Sequence, residues 1–391
     1  MKKINWKKIN KKPVFLITRT DGIGDLVLTV PLTTLIKKKY QNSKIFFLVK
    51  KYSSEVVEMA NDIDDFIIFD PKEHSSLKGL IKLGRKLKKY KVDIAISVRP
   101  KLSIALLFLL MKIPIRIGTA RRAYSFLYTH RVSVKRKKGG HHETYNNTLL
   151  LKPLEIKPEN KIPDYTIPTD AMNKISHKFN EWKFDASDLN IITIHPGSMG
   201  SALRWPFEAV IELGEMLLRN NYIVLLTGGQ TEKELLNSIQ KEILSKTDSN
   251  FHSKIKIIYD LSLTELTALY KKSSLVIANS TGPLHVAAMI GTPTISIFPM
   301  SRATRPYKWH PLGNGTNITI QPDIPNCLKC VEEKCEYYNC LKLIRPEFVF
   351  NEINMLLYNN AKKNSRKEDK NKGWIPIKAA INSKGRENKN G

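Results

Sequence analysis

Residues 275–297 read LVIANSTGPLHVAAMIGTPTISI, and their pattern predicts the architecture of the chain. An apolar run over 275–278 ends at the polar turn NSTG, and a proline follows where the first turn of a helix would begin. The small residues of HVAAMIG predict a short helix closed by Gly291, and a second β-branched run covers 294–297. Strand, turn, helix and strand in this order predict a βαβ unit of an open parallel sheet, and hence an α/β protein.

The NSTG turn is a candidate phosphate site. Open parallel sheets bind ligands beyond the carboxyl ends of their strands, and a helix start offers free N–H groups and the positive end of the helix dipole. Ser280, Thr281 and Gly282 add two hydroxyls and a close approach of the backbone. The turn therefore suits a phosphate or a sugar phosphate, while an ordinary capped helix remains the alternative.

The composition is strongly basic. Against 36 Asp and Glu the chain carries 64 Lys and Arg, which gives a formal net charge of +28. Such an excess indicates a polyanionic partner, namely nucleic acid, an anionic membrane surface or a phosphorylated lipid, although a lysine-rich compositional bias would also raise it. The length of 391 residues predicts two domains.

The apolar segments are too short for an export signal or a membrane span. The apolar run near the N-terminus is broken by Arg19 and Asp21, and the longest apolar stretch covers only 104–111. We therefore expect a cytoplasmic protein, peripheral to a membrane.

Two similar halves follow each other along the chain, each alternating apolar strands with helical stretches. Between them, 154–170 is rich in proline and polar residues and predicts a linker. We predict an N-terminal Rossmann-like domain, a C-terminal Rossmann-like domain, a closing helix and a basic, disordered tail, over 1–165, 166–345, 346–360 and 361–391, respectively. Two doubly wound domains that face each other would form a cleft between the carboxyl edges of their sheets.

Asp25 is the candidate catalytic base. It follows Gly24 at the first strand-to-helix junction, where a carboxylate could accept a proton from a hydroxyl group. The alternative is a helix-start residue whose charge meets the helix dipole, and Asp21 competes for either role. The glycines of DGIGD do not form GxGxxG and lack an acidic partner for a nicotinamide ribose, which disfavours a dehydrogenase.

The second half carries HPGSMGSALRWP, residues 195–206, after a predicted strand. Gly197 and Ser198 predict another anion-accepting turn, and the planar guanidinium of Arg204 suits a phosphate. Trp205 and His195 are interpreted as core residues, because aromatic side chains at strand ends usually pack.

Four motifs occur in a fixed order: IGDLVLTVPLTTLIKKKY, HPGS followed by RWP, LLTGG, and NSTGPLHVAAMIGTP. Together, over about residues 13–358, they resemble glycosyltransferase family 9, the ADP-heptose:lipopolysaccharide heptosyltransferases. The resemblance implies a GT-B fold, two Rossmann-like doubly wound domains of which the first binds the acceptor and the second the nucleotide sugar. It also implies an inverting transfer of heptose from ADP-heptose to the inner core of lipopolysaccharide, either Kdo–lipid A or a heptosylated core, without a cofactor or a catalytic metal.

The resemblance also implies roles for single residues. The family's proposed base falls on Asp25, and its donor contacts fall on the two anion-binding turns, which adds His285 to the donor set of Gly197, Ser198, Arg204, Ser280, Thr281 and Gly282. We expect basic residues of the first domain to hold acceptor carboxylates and lipid phosphates; the candidates are Arg19, Arg99, Lys101, Arg121 and Arg122. Leu203 and Ser280 depart from the family pattern, which often has Lys and Asp there, so the donor could differ.

The expected partners are ADP-heptose, an anionic glycolipid acceptor and the cytoplasmic face of the inner membrane, with no nucleic acid. One alternative is a GT-B glycosyltransferase that uses another nucleotide sugar or acceptor. An alternative of another class is a non-catalytic basic protein that binds polyanions. The sequence shows no helix-turn-helix, RRM signature or aromatic–basic stripe in support of nucleic-acid binding.

Four cysteines lie close together in the chain as C-x2-C-x4-C-x4-C: Cys327, Cys330, Cys335 and Cys340. The spacing is compact enough for zinc or an iron–sulfur cluster, whereas a reducing cytoplasm disfavours disulfides. Structural loop cysteines are the favoured interpretation, and a metal site is the alternative.

Overall fold

The computed structural model describes residues 4, 9–136, 140–184, 190–198, 200, 203–301, 304–325, 327, 330–331, 334–365 and 375–379. The chain divides into two compact units, Met1–Pro168 and Thr169–Gly391. Each unit has its own parallel sheet and its own apolar core, so each is described separately.

The first unit is built on six parallel strands in the order β3-β2-β1-β4-β5-β6. The central strands are continuous apolar runs, as expected where helices cover both faces of a sheet. The strands are β1 Val14–Thr18, β2 Lys44–Val49, β3 Asp65–Ile68, β4 Ile94–Ser97, β5 Ile115–Thr119 and β6 His130–Val132.

The α-helices in the described part of this unit are α1 Ile23–Val27, α2 Pro31–Lys39, α3 Ser54–Glu58, α4 Pro71–His74, α5 Leu77–Leu87, α6 Leu102–Leu110 and α7 Glu143–Thr148. The first six lie between strands, and α7 follows β6. Short 3₁₀ helices cover Lys51–Ser53, Lys88–Tyr90, Ala123–Leu127 and Leu149–Leu154. One apolar core lies between the sheet and the layer formed by α5, α6 and the 3₁₀ helix Ala123–Leu127.

The second unit repeats this plan. Its sheet is also parallel and has the order β13-β12-β11-β10-β7-β8-β9, in which the first six strands of the unit reproduce the order of the first sheet. The strands are β7 Ile191–His195, β8 Ile223–Gly228, β9 Ile255–Tyr259, β10 Leu275–Asn279, β11 Thr294–Ile297, β12 Asn317–Pro322 and β13 Ile375–Ala379. This shared order is that of the Rossmann fold, so the predicted α/β class with two doubly wound halves is confirmed.

The helices of the second unit are α8 Thr169–Glu181, α9 Phe207–Arg219, α10 Lys233–Ser245, α11 Leu263–Lys272, α12 Gly282–Met289, α13 Pro306–Trp309 and α14 Pro346–Ser365, with 3₁₀ helices at Gln230–Glu232, Ser249–Lys254 and Cys340–Leu343. The stretch 275–297 folds as β10, α12 and β11, which confirms the predicted strand–turn–helix–strand. Gly291 follows α12 with φ of +81°, a left-handed conformation that favours glycine.

The C-terminal segment differs from the prediction of a closing helix over 346–360 and a disordered tail over 361–391. Helix α14 continues to Ser365, and β13 pairs in parallel with β12. The free edge of β12 offers unpaired N–H and C=O groups, which a returning segment satisfies by forming a further strand. The rest of the predicted tail lies outside the described residues. In the part of the chain that the structure covers, no helix is long and apolar enough to span a bilayer.

Candidate functional site

The first candidate site lies at the switch point of the first sheet. Strand β1 pairs with β2 on one side and β4 on the other, so the loops that follow β1 and β4 come together at the carboxyl edge. These loops and the start of α1 bring together Arg19, Asp21, Asp25 and Arg99, and α7 with its preceding loop adds Arg136 and Glu143. These six residues are called the arginine–carboxylate cluster below.

Arg19 occupies the centre of this cluster, and its side chain is only 4% exposed. Its Nε donates to Asp21 Oδ1 at 2.7 Å, and its Nη2 donates to Asp25 Oδ1. Its Nη1 lies 3.7 Å from Glu143 Oε1. We expected Arg19 to hold the acceptor, but its donors point to carboxylates within the protein, since a buried guanidinium must be paired there. Arg19 therefore orients Asp21 and Asp25.

The structure distinguishes the two aspartates that competed for the role of base. Both carboxylate oxygens of buried Asp21 are in ion pairs, because Oδ2 also accepts from Arg99 Nη1 at 2.9 Å. Asp25 has a side chain that is 26% exposed, and Arg19 bonds its Oδ1. A Cβ on Gly22 would lie 3.2 Å from Asp25 Oδ2, so glycine leaves space beside this oxygen. Asp25 is thus the carboxylate that a substrate hydroxyl could reach.

Three members of this environment were missed by sequence reasoning: Arg136, Glu143 and Asn147. Arg136 Nη1 donates to Glu143 Oε1 and, at 3.0 Å, to Asn147 Oδ1. Burial, with the charge of Arg19 as the next cause, lowers the pKa of Arg136 to about 10. Glu143 is 2% exposed, and its Oε2 has no hydrogen-bond partner among the described residues. The only feature of the sequence that could have pointed to these residues is the run of polar residues over 143–148.

The remaining basic candidates occupy two places. Arg99 is half exposed and pairs with Asp21. Lys101 donates from Nζ to the Thr20 carbonyl at 3.3 Å, and burial, followed by the charge of Arg99, lowers its pKa. Arg121 and Arg122 lie on an exposed segment after β5. The structure thus places Arg99 within the arginine–carboxylate cluster and Lys101 next to it, while Arg121 and Arg122 belong to a different loop.

The second candidate site lies at the switch point of the second sheet, between β7 and β10. Asn279, the last residue of β10, joins the two loops that follow these strands. Its Oδ1 accepts from the Trp205 backbone N–H at 2.9 Å, and its Nδ2 donates to the Pro196 carbonyl at 2.9 Å. The side chain is buried, so this buried amide fixes the RWP segment against the HPGS turn. Sequence reasoning did not single out this role.

The start of α12 offers free donors. Thr281 occupies the N-cap position, but its hydroxyl donates to the Asn279 carbonyl at 3.2 Å instead of accepting from the helix. No side chain among the described residues caps α12, and its first turn has no acidic residue. Ser280 and Gly282 are partly exposed beside it. An uncapped helix start at a strand's carboxyl end is suited to a phosphate.

The HPGS turn and Arg204 complete this site. A Cβ at Gly197 would overlap the Glu232 carboxylate, so any larger residue there requires the Glu232 side chain to move. Ser198 is buried next to it. Arg204 is exposed, with its guanidinium carbon 5.2 Å from the ring centre of Phe207, and its carbonyl accepts from Asn339 Nδ2 at 2.8 Å. The loop thus presents one exposed guanidinium next to two backbone turns.

His195 and His285 both lie in the interior. Burial lowers the pKa of His195, whose Nδ1 lies 3.1 Å from Thr227 Oγ1, so its interpretation as a core residue is confirmed. His285, which is predicted to lie near the donor, is the fourth residue of α12 and is buried. Burial and then the charge of His310 lower its pKa to about 4. Trp205 is also buried and donates from Nε1 to the Ile344 carbonyl at 2.9 Å, which confirms the packing interpretation.

The four cysteines are free thiols that line one small cavity next to Leu203. Burial raises the pKa of Cys327 and Cys340. Within the described part of the chain, no group of three or more His, Cys, Asp or Glu side chains is arranged to hold a metal ion. Cys340 packs with Met300 and Ile324 in an apolar cluster that Leu203 contacts. The cysteine loop therefore supports the segment that carries Arg204.

Comparison with known proteins identifies the class. The model of glycosyltransferase family 9 (heptosyltransferase) matches residues 80–341. The chain belongs to this family and is a glycosyltransferase, as the four motifs predicted. It is similar to lipooligosaccharide heptosyltransferase 2 of Campylobacter jejuni, with 23% identity over 85% of this chain and 96% of that protein. It is also similar to lipopolysaccharide heptosyltransferase 3 of Escherichia coli, with 25% identity over 74% of this chain and 82% of that protein.

Solved structures show the same fold. A glycosyltransferase of family 9 from Veillonella parvula superposes with a TM-score of 0.76 at 21% identity, over 90% of this chain and 99% of that one. The ADP-heptose LPS heptosyltransferase II of Escherichia coli superposes with a TM-score of 0.71 at 19% identity, over 89% and 99% of the two chains. The chain therefore has the GT-B fold that the sequence motifs implied.

Proposed function

We propose that the protein transfers heptose from ADP-heptose to the inner core of lipopolysaccharide, at the cytoplasmic face of the inner membrane. Family membership and the names of the related heptosyltransferases support this proposal. A related fold is that of the Escherichia coli heptosyltransferase WaaC with ADP, which superposes with a TM-score of 0.66 at 17% identity, over 88% of this chain and 99% of that one. The observation that carries the proposal is the partly exposed Asp25 carboxylate, oriented by buried Arg19.

Asp25 acts as the general base. It accepts the proton of the acceptor hydroxyl while the hydroxyl oxygen attacks the anomeric carbon of the donor and the bond to ADP breaks. Arg19 bonds Oδ1, and Gly22 leaves space beside Oδ2, so the second oxygen is the one that accepts the proton. Asp21 and Glu143 hold Arg19 in place from its other sides.

The donor diphosphate binds at the second site. The first-turn N–H groups of α12 and those of the HPGS turn donate to phosphate oxygens, and Arg204 offsets the charge that develops on the leaving ADP. Leu203, which stands where family members often have Lys, packs against the apolar cluster around Met300. The phosphate charge therefore falls on Arg204 alone, and Ser280 contributes a neutral hydroxyl.

The acceptor's carboxylates and phosphates bind to basic residues of the first unit. Arg99 belongs to the arginine–carboxylate cluster and is half exposed, and Lys101 lies next to the cluster, where it is bonded to the Thr20 carbonyl. Arg121 and Arg122 supply further positive charge on an exposed segment. Arg19 is not part of this set, because its donors are bonded within the protein.

The experiment that tests the proposal is a thermal-shift panel of ADP-, UDP- and GDP-sugars, followed by a transfer assay with the nucleotide that binds. We expect stabilisation by ADP-heptose and transfer of heptose to a soluble inner-core acceptor. If only a UDP- or GDP-sugar stabilised the protein, the proposed donor would be wrong, but the assignment as a glycosyltransferase would stand. A purified, folded protein that binds polyanions but no nucleotide sugar would contradict the proposal.

A further inference from the structure

Helix α6 has the sequence LSIALLFLL, in which every residue except Ser103 is apolar. A helix of this kind is normally buried on all sides. Here one side packs in the core through Ile104, Ala105, Leu107 and Phe108. Leu102, Leu109 and Leu110 on the opposite side are between 43% and 49% exposed, so α6 presents a leucine face to its surroundings.

The leucine face continues onto both neighbours of α6. A Cβ on Gly84 of α5 would lie 3.7 Å from Leu107, so the Gly84 side of α5 faces α6. The exposed Leu77 and Ile81 precede Gly84 by seven and three residues and therefore lie along the same side of α5. On the other flank, Phe126 in the 3₁₀ helix Ala123–Leu127 is 73% exposed. These apolar side chains form one outer layer of the first unit.

Positive charge surrounds this layer. Asp93 is the only Asp or Glu in the sequence from 74 to 142, and it is buried, where it accepts from the Val14 backbone N–H at 2.9 Å. The exposed charged residues on α5, on the 3₁₀ helix and in the loops that join these elements are basic: Lys78, Lys82, Arg85, Lys86, Lys88 and Lys89 on and after α5, Lys112 after α6, and Arg121 and Arg122 before Phe126. Glu73 on α4, ahead of α5, is an exposed acidic neighbour.

We infer that the outer face of α5, α6 and Ala123–Leu127 docks the protein on a bilayer of anionic phospholipid. The leucines and Phe126 enter the boundary between headgroups and acyl chains, while lysines and arginines contact lipid phosphates. Exposed apolar patches rimmed by polar residues mark such interaction sites. A second copy of this chain does not fit, because the pairing of two such faces would bring like charges together.

The surface also adjoins the proposed acceptor site along the chain. Lys101, which lies beside the arginine–carboxylate cluster, is the N-cap residue of α6, and Leu102 begins the leucine face. A lipid-linked acceptor could therefore keep its acyl chains in the bilayer while its sugar reaches the first unit. This link between docking and the acceptor rests on the proposed function, whereas the docking itself needs no substrate.

The test is cosedimentation of the full chain with phosphatidylglycerol-containing vesicles and with pure phosphatidylcholine vesicles. One variant carries L102N, L109N and L110N, and another carries K82Q, R85Q and K86Q. The matched control neutralises three exposed lysines of the second unit, K233Q, K241Q and K271Q. A charge near an anionic surface contributes about fivefold in affinity, so three neutralisations should weaken binding by about 100-fold.

We expect both surface variants to lose binding to anionic vesicles, the control to retain it, and the wild type to bind anionic vesicles more weakly as salt rises. Equal binding by wild type and both surface variants, or equal loss in the control, would overturn the inference. If the wild type bound pure phosphatidylcholine vesicles as well as the anionic ones, the claim that the surface recognises anionic lipid would be overturned. If the leucine variant is less stable, the charge variant, whose side chains are exposed, still decides the question. Vesicle binding by a wild type that transfers no heptose would support docking and count against the proposed function alone.

Discussion

Replacing Arg19 by methionine should expose how much the first site depends on one buried cation. In the wild type, three guanidinium groups face three carboxylates in the arginine–carboxylate cluster. Without Arg19, Arg99 and Arg136 remain to pair with Asp21, Asp25 and Glu143. Removing one partner of a buried pair costs about 3–5 kcal/mol, and we expect the lower end because two cations remain.

The measurement is denaturant unfolding at pH 8 and pH 5. A loss of about 3 kcal/mol corresponds to a fall of roughly 6–12 °C in the melting temperature of a unit of this size. Because a proton on a buried carboxylate relieves its unpaired charge, the loss should be smaller at pH 5 than at pH 8. Arg19→Lys retains the charge but not the forked geometry, so it should lose less stability while still lowering kcat.

The control is Arg121→Met, the same change at an exposed arginine of the same unit, for which we expect less than about 0.5 kcal/mol. If Arg19→Met costs under about 1 kcal/mol and the cost does not change with pH, the reasoning that makes Arg19 the centre of the site is refuted.

Three further predictions follow from the second unit. Arg204→Ala should weaken ADP binding roughly tenfold to over a hundredfold in calorimetry, the effect of one lost charged hydrogen bond, whereas Thr281→Val, whose hydroxyl is bonded to its own chain, should change it much less. Gly197→Ala should displace the Glu232 carboxylate and lower both stability and ADP affinity, and an unchanged variant would contradict the packing described. His285 has a pKa of about 4 in the fold against 6.5 normally, so below pH 6.5 the unfolded chain takes up a proton that the folded chain excludes. As pH falls from 6.5 to 4, His285 therefore lowers the free energy of unfolding by about 1.4 kcal/mol per pH unit. His285→Gln should remove this part of the pH dependence, which unfolding curves at a series of pH values measure.

Local patterns predicted what lies close together in the sequence. The stretch 275–297 has its strand, turn, helix and strand in order, and the Rossmann-like halves follow from the same alternation. Asp25 could be singled out because a strand-to-helix junction is a local feature. Its setting could not be predicted, since Asn147 and Arg19 are 128 residues apart in the chain and meet only through the fold.

Other differences have the same cause. The burial of His285 could not be predicted, because which side of α12 faces the core depends on the helices and strands packed against it. From the sequence alone, the positive charge of Arg19 favours an anionic ligand. In the fold, carboxylates from the loop after β1, from α1 and from α7 surround it. Strand β13 was predicted as disordered tail because its pairing partner, β12, is more than fifty residues away.

Whether Asp25 is the general base is decided by the kcat of Asp25→Asn with ADP-heptose and a soluble inner-core acceptor. Asparagine keeps the shape and can still accept from Arg19, but it cannot take the proton. We predict a fall in kcat of roughly 10²–10⁴-fold, with ADP affinity and melting temperature nearly unchanged. Asp21→Asn, at a buried and doubly paired carboxylate, should instead lower the melting temperature and retain more activity. An Asp25→Asn variant with near wild-type kcat beside an inactive but folded Asp21→Asn variant would contradict the assignment of the base.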